Sequence, residues 1–270
     1  MPITLTYPEG CALVTGGTGN VGQGVVRRLA QAGVPTVFTY RSKGDFAARL
    51  EADLRAEGHQ VWARQMDMGD DASILATIAF AQEVGGQLRA LHVPAGAPVP
   101  FNPIADFTPE QVADFVAGDA LAFFRVVHHV VPVMRRGGGG RIVLCTTMAN
   151  RRVIDLDGIS PFSKGAVDAL IRQIAAEEAQ YQITCNGVAI GVVTPAPAET
   201  VAANLPPDPG LGARDEAGMF SSVFNRVWKM ARLGRIATPD EAGDLFAFLA
   251  SDQARYLTGQ IVAIDGGSTL

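Results

Sequence analysis

Three short stretches hold residues whose types and spacing suit chemistry. TGGTGNVG (residues 15–22) sets Gly16, Gly19 and Gly22 three apart, flanked by Thr15 and Thr18. Small residues let a backbone approach a pyrophosphate, and the free N–H groups at a helix start favour its charge. Thr18, Asn20 and Val21 complete this candidate nucleotide cradle. A second stretch, YRSK (40–43), brings Arg41, Ser42 and Lys43 together, and no carboxylate occurs between Gln23 and Gly44. At such a place Asp or Glu usually holds a ribose 2′-hydroxyl, whereas a 2′-phosphate needs a cation. Arg41 offers a planar fork matched to phosphate and Lys43 a second charge, so the pattern points to NADP rather than NAD. The competing reading is a solvated loop with two exposed cations. The third stretch, SPFSK (160–164), spaces Ser160 and Lys164 one helical turn apart, on one face. Ser160 followed by Pro161 also reads as a helix start, with Ser as N-cap and Pro at N1.

The elements that must position these residues alternate along the chain. CALVT (11–15) reads as a buried strand and VGQGVVRRLAQAG (21–33) as a helix closed by Gly33. Strand 36–40, helix 45–58, strand 60–67, helix 72–85 and strand 88–93 follow. A long helix is expected over 109–136, then strand 140–147, helix 161–180, strand 183–190, helix 239–251 and strand 261–265. Apolar strands separated by crossover helices mark a parallel sheet covered on both faces. The expected fold is therefore α/β, a Rossmann-type doubly wound sheet of about seven strands in a single domain over residues 1–270. The proline-rich stretch 191–218 follows the carboxyl end of a strand, where ligands bind in open α/β sheets, and is a candidate substrate lid. A disordered insertion is the alternative.

A 270-residue chain, 48% hydrophobic and 18% charged, suits one large globular core. Its net charge of −5 leaves no basic footprint for a nucleic acid. Cys11, Cys145 and Cys185 all lie in apolar strand-like segments without paired spacing, which fits a reduced, cytoplasmic setting. The amino-terminal ten residues lack a basic region followed by an apolar core, and no uninterrupted apolar run reaches about 18 residues, so no membrane partner is expected. No His, Cys or carboxylate cluster has metal-ligand spacing.

The chain resembles the short-chain dehydrogenase/reductase family from about residue 11 to 268. GRIATPDEAGDLFAFLASDQARYLTGQIVAIDGG (234–267) is similar to that family's ending nearly residue for residue. MD (66–67), PAG (94–96) and CNGVAIGVVT (185–194) are further matches. The resemblance implies that Asp67 and Met68 border the adenine, that Ala95 and Gly96 line the cofactor, and that Gly191, Val193 and Thr194 meet the nicotinamide. It also implies a homodimer or homotetramer built on the long helix, where His128 and His129 would pack at an interface.

The family normally uses Asn, Ser, Tyr and Lys in catalysis. Carried over position by position, these become Asp119, Thr147, Ser160 and Lys164. Thr147 keeps a hydroxyl, and Lys164 would still hold the nicotinamide ribose. Ser160 is the difficulty, because hydride arriving at a carbonyl carbon creates an alkoxide that needs a proton from a group poised near the working pH. A phenol can be tuned for this, whereas an aliphatic hydroxyl is a far poorer acid. Tyr7, Tyr40, Tyr181 and Tyr256 lie in segments the family places away from the hydride.

Three readings follow. One is reduction of a conjugated C=C bond, for which a phenol is not obligatory; the dienoyl-CoA reductase branch of the family also lacks this Tyr and keeps the Lys. Arg151 or Arg152 would then meet an anionic substrate, unless they are plain solvated charges. A second is carbonyl chemistry, with Asp119, Thr147, Lys164 and water sharing the proton work. The third is a nucleotide-binding protein without redox turnover: a sensor, a partner subunit or a biosynthetic catalyst. The favoured expectation is an NADP-dependent reductase acting on a small-molecule substrate.

Overall fold

The computed structural model describes residues 4–196, 200 and 216–270. A seven-stranded sheet in the order β3-β2-β1-β4-β5-β6-β7 forms its centre, with every pairing parallel. The strands are β1 (Cys11–Val14), β2 (Thr36–Tyr40), β3 (Val61–Gln65), β4 (Leu88–Val93), β5 (Gly140–Thr147), β6 (Ile183–Ile190) and β7 (Ile261–Ile264). The inner strands are buried on both faces, which is why they read as unbroken apolar runs rather than alternating ones. Strand order reverses between β1 and β4, so loops leaving their carboxyl ends splay apart and open a crevice.

Helices cover both faces. They are α1 (Asn20–Gln31), α2 (Gly44–Ala56), α3 (Asp71–Gly85), α4 (Pro109–Val116), α5 (Ala122–Gly137), α6 (Ile159–Glu178), α7 (Glu216–Met230) and α8 (Pro239–Ala250). Gly33, at φ +77°, ends α1 as its sequence predicts. Thr238 caps α8 by accepting from the Glu241 N–H, and Glu241 reaches back to the Thr238 N–H.

The long helix expected over 109–136 is interrupted. A π-helical turn at Ala117–Leu121 joins α4 to α5 and adds a residue to the turn that carries Asp119. By length and composition the run Pro109–Gly137 could cross a membrane. Here its apolar side, including Phe123, Val126, Val130 and Met134, is buried in the core that the sheet shares.

Helix α7 was not foreseen. It docks Val223 and Val227 on Met148, Ala149 and Ile154, with Phe101, Leu156 and Val192 at the margin. This second apolar cluster stands beyond the carboxyl ends of β5 and β6. The lid expected over 191–218 falls mostly outside the described residues. The three cysteines are buried free thiols. Burial pushes the Cys11 and Cys145 thiols up to about 11 and raises that of Cys185 further, so none is a ready nucleophile.

Candidate active site

The glycine turn lies between β1 and α1. Gly16 sits at φ +58°, and a Cβ on Gly22 would stand 2.2 Å from the Gly16 carbonyl oxygen, so the helix can begin this close to the turn only without a side chain there. The turn is tied to β2: the Gly16 N–H donates to the Thr39 hydroxyl at 3.2 Å and the Gly17 N–H to the Thr39 carbonyl at 2.7 Å. Gly19 is the N-cap of α1, leaving Asn20, Val21 and Gly22 in its first turn, whose N–H groups have no intrahelical acceptor. Asn20 Nδ2 donates to the Val193 carbonyl at 3.2 Å and so links the turn to the loop after β6.

Arg41, Ser42 and Lys43 are exposed where β2 ends. Among the described residues neither Arg41 nor Lys43 forms an ion pair. Asp67 folds back on its own loop, accepting the Gly69 N–H at 2.8 Å while its N–H donates to the Ser73 hydroxyl. Gly191 follows β6, and Thr194 donates its N–H to the Ala237 carbonyl, which holds the 191–194 loop against the segment preceding α8.

Across the crevice, Lys164 and Asp119 meet in a buried ion pair, Nζ to Oδ1 at 2.7 Å. The other carboxylate oxygen accepts the Ser163 hydroxyl at 2.7 Å, and that hydroxyl in turn accepts the Ala120 N–H. Lys164 Nζ also lies 3.9 Å from the centroid of the Phe123 ring. A Cβ on Gly96 would stand 3.0 Å from Asp119 Oδ1 and 3.2 Å from Lys164 Nζ, so the loop after β4 runs directly over the pair. The π turn is what carries Asp119 into reach of α6, a placement such turns often serve.

Helix α6 starts at Ile159, with Gly158 as N-cap, so Ser160 and Pro161 lie inside the first turn. Ser160 therefore does not cap the helix. Its hydroxyl instead donates to Asp157 Oδ2 at 3.1 Å. The helix can start early because Pro161 lacks an N–H at a position where none would be paired, and because Asp157 lies at the helix start. Asp157 lines a cavity of about 120 Å³ together with Thr147, Met148, Ile154 and Val223. Thr147 accepts the Ala149 N–H at 3.1 Å and so turns the chain after β5.

Comparisons with known proteins agree on what this arrangement is. A family model described as enoyl-(acyl carrier protein) reductase matches residues 17–269. The chain belongs to the short-chain dehydrogenase/reductase family. It is 32% identical to the oxidoreductase UcpA of Salmonella typhimurium over 96% of this chain and 94% of that one. It is 28% identical to 1,6-dihydroxycyclohexa-2,4-diene-1-carboxylate dehydrogenase of Acinetobacter baylyi over 99% of both chains. In structure it is similar to a short-chain type dehydrogenase/reductase from Mycobacterium ulcerans, with a TM-score of 0.82, 24% identity and coverage of 98% of this chain and 91% of that one, a likeness of fold.

The short-chain dehydrogenase/reductase fold brings Lys164, Asp119, Thr147 and Ser160 to the carboxyl edge of the sheet. As an oxidoreductase of this family, the protein implies a nicotinamide dinucleotide, and the cradle fits one. Its glycines leave no room for side chains, and the cations at the end of β2 have no described carboxylate partner.

Contacts within the chain add detail to two of these expectations. Arg151 donates to the Ile261 carbonyl of β7 and Arg152 to the Ser268 carbonyl, so both help hold the loop after β5 against the carboxyl-terminal segment. His129 Nε2 lies 3.3 Å from Asp71 Oδ1, so that imidazole has a partner within its own chain, while His128 stacks on the exposed Phe124. Sequence reasoning also passed over Gly17, where a Cβ would strike the Phe38 ring at 2.7 Å, and over Asp157.

Proposed function

We propose that the protein is an NADP-dependent reductase of small organic molecules, acting on a C=C bond conjugated to a carbonyl or on a carbonyl itself. The observation that carries this reading is the pairing of two half-sites across one crevice: a glycine cradle ending in Arg41 and Lys43, which have no ion-pair partner among the described residues, and a buried ammonium, Lys164, fixed by Asp119. When bound, the reduced cofactor supplies a hydride.

The chain's own residues do the rest. In this reading Gly16, Thr18, Gly19, Asn20, Val21 and Gly22 cradle the pyrophosphate, while Arg41, with Ser42 and Lys43, takes the 2′-phosphate through charge-assisted hydrogen bonds. Asp67 and Met68 border the adenine. Ala95, Gly96, Gly191, Val193 and Thr194 line the path to the nicotinamide, and Lys164 holds the nicotinamide ribose.

Asp119 is a positioning residue. Both its oxygens already accept hydrogen bonds, and Ser163 must donate to it because that hydroxyl takes the Ala120 N–H. Thr147 lines the cavity and offers a hydroxyl to a substrate oxygen. The apolar walls of that cavity, Phe101, Ile154 and Val223 among them, suit an unsaturated hydrocarbon portion and keep water out. The exposed Leu121, Phe124 and His128 on the outer side of α4–α5 support a homodimer or homotetramer.

The test mixes purified protein and NADPH with two panels, enones or enoyl thioesters in one and ketones or aldehydes in the other. Loss of NADPH absorbance in one panel alone selects the acceptor. Binding of NADPH with no loss in either supports instead a nucleotide-binding protein without redox turnover, the reading that Ser160 at the family's tyrosine position favours.

A further inference from the structure

We infer that Asp157 is the acid of this active site, giving its proton to the substrate oxygen that becomes anionic when hydride is added. The assignment rests on the reductase reading above and goes beyond it by naming a proton source that the family's four positions do not include.

Asp157 is 7% exposed and lines the same small cavity as Thr147. One of its oxygens accepts the Ser160 hydroxyl, and the other, Oδ1, is buried with no hydrogen-bond partner among the described residues. A buried carboxyl oxygen left unpaired on a residue that lines this cavity calls for an explanation, because such groups are costly. A proton on that oxygen, shared with a ligand, supplies one.

The chain also holds Asp157 there at a cost. Leu156, the residue before it, has φ +70°, a conformation that a bulky side chain rarely adopts. The strained turn is pinned from two sides. The Asn102 N–H donates to the Leu156 carbonyl at 2.9 Å, and Ile154 is buried against Val223 and Val227. Backbone strain of this kind persists where the surroundings over-determine it and gathers at functional sites.

The charges around Asp157 leave it unneutralised. On its own loop Asp155 pairs with Arg226 of α7, and on α6 Lys164 is engaged by Asp119. The elements packed against it otherwise present the Ser160 and Thr147 hydroxyls and the backbone at Asn102. Among the described residues no cation pairs with it. Burial therefore pushes its carboxyl up to about 6, opposed only in part by the Ser160 hydroxyl and N–H. A general acid works best with its titration near the operating pH.

The step balances. Hydride brings two electrons to the electrophilic carbon of the acceptor, and the π electrons it displaces move to oxygen. The Asp157 O–H bond breaks as a new O–H bond forms on that oxygen, and the carboxylate left behind takes a proton from water. An alcohol results from a carbonyl; an enol that tautomerises results from a conjugated alkene. Ser160, at the position where the family's tyrosine would stand, becomes a positioning residue that orients the acid.

The experiment compares the full-length wild type with Asp157→Asn, Asp157→Glu and Ser160→Ala. Infrared difference spectra of the ligand-free protein should show a protonated carboxyl that titrates near pH 6 and vanishes in Asp157→Asn. With an acceptor from the active panel, Asp157→Asn should lower turnover by about 10²–10⁴-fold, the usual worth of a general acid. Its affinity for NADPH should be unchanged, and Asp157→Glu should recover part of the loss. Ser160→Ala, by removing a hydrogen bond to the charged form, should move the same titration and the matching limb of the pH–rate profile upward. An active wild type with an unimpaired Asp157→Asn, or a spectrum whose carboxyl band survives that change, overturns the assignment and leaves the reductase reading standing. A folded wild type that binds NADPH and reduces nothing in either panel overturns both.

Discussion

The two sides of the crevice handle charge in opposite ways. Around β1, β2 and β3, the candidate site is made of backbone N–H groups and of cations exposed to water, Arg41 and Lys43, with no described carboxylate paired to them. Around β4, β5 and α6, the charges are buried and answer one another: Lys164 with Asp119, and Asp157, among the described residues, with a hydroxyl and an N–H. An exposed cation loses little by waiting for a ligand, because water solvates it meanwhile. A buried charge must be paired, or neutral, before any ligand arrives. On the proposed reading the first side chooses among nucleotides, whereas the second must be built into the fold.

The largest break in that contrast is Lys164→Ala. It strands Asp119 in the interior, so stability measured by urea unfolding should drop by about 3–5 kcal/mol. Replacing both partners by Met and Leu should recover most of it, which would separate the cost of the stranded charge from the worth of the pair. Arg41→Ala, on the open side, should leave the urea midpoint where it is and weaken NADPH binding by about 2 kcal/mol, roughly 30-fold, with NADH binding unaffected.

A smaller effect sharpens the comparison through pH. His92, buried in β4 with neither ring nitrogen hydrogen-bonded among the described residues, is pushed down from 6.5 to about 3 by burial. Between those values the unfolded chain binds a proton that the folded chain refuses, so His92 makes stability fall as pH drops. Asp157, raised from 3.8 to about 6, acts with the opposite sign: between those values the folded chain keeps a proton that the unfolded one has lost, and stability rises as pH drops. The two slopes offset one another in the wild type. Asp157→Asn should expose the His92 slope, losing about 1 kcal/mol more per pH unit than the wild type on acidification from about 6 to 3.8. His92→Leu should tilt the curve the other way.

Most of this fold was legible because its strands are buried on both faces and its helices carry their own punctuation. The run LRALHV coincides with β4, and Thr238, Pro239 and Glu241 announce the start of α8 by a capping pattern. The glycine turn was legible for the same reason, since close backbone approach demands glycine. The other side was not. Asp119 reaches Lys164 only through a π turn, which shifts the helical register by one residue and leaves no mark in an apolar periodicity. Ser160 looked like a cap because Ser-Pro is a good one; the helix instead starts two residues earlier, with Asp157 below it. The signal for Asp157 was present as a carboxylate three residues before Ser160, but its burial depends on α7. That helix has its own readable spacing, Met219, Val223 and Val227, every four residues. The proline-rich stretch before it masks where that helical spacing begins.

On the proposed reading the open side selects a 2′-phosphorylated dinucleotide. Isothermal titration of the wild-type protein with NADPH and with NADH tests it most directly. The charge arrangement at Arg41 and Lys43 predicts NADPH binding at least about tenfold tighter, a gap that narrows as salt screens exposed charges. Equal affinity for the two, or no uptake of either, would contradict it.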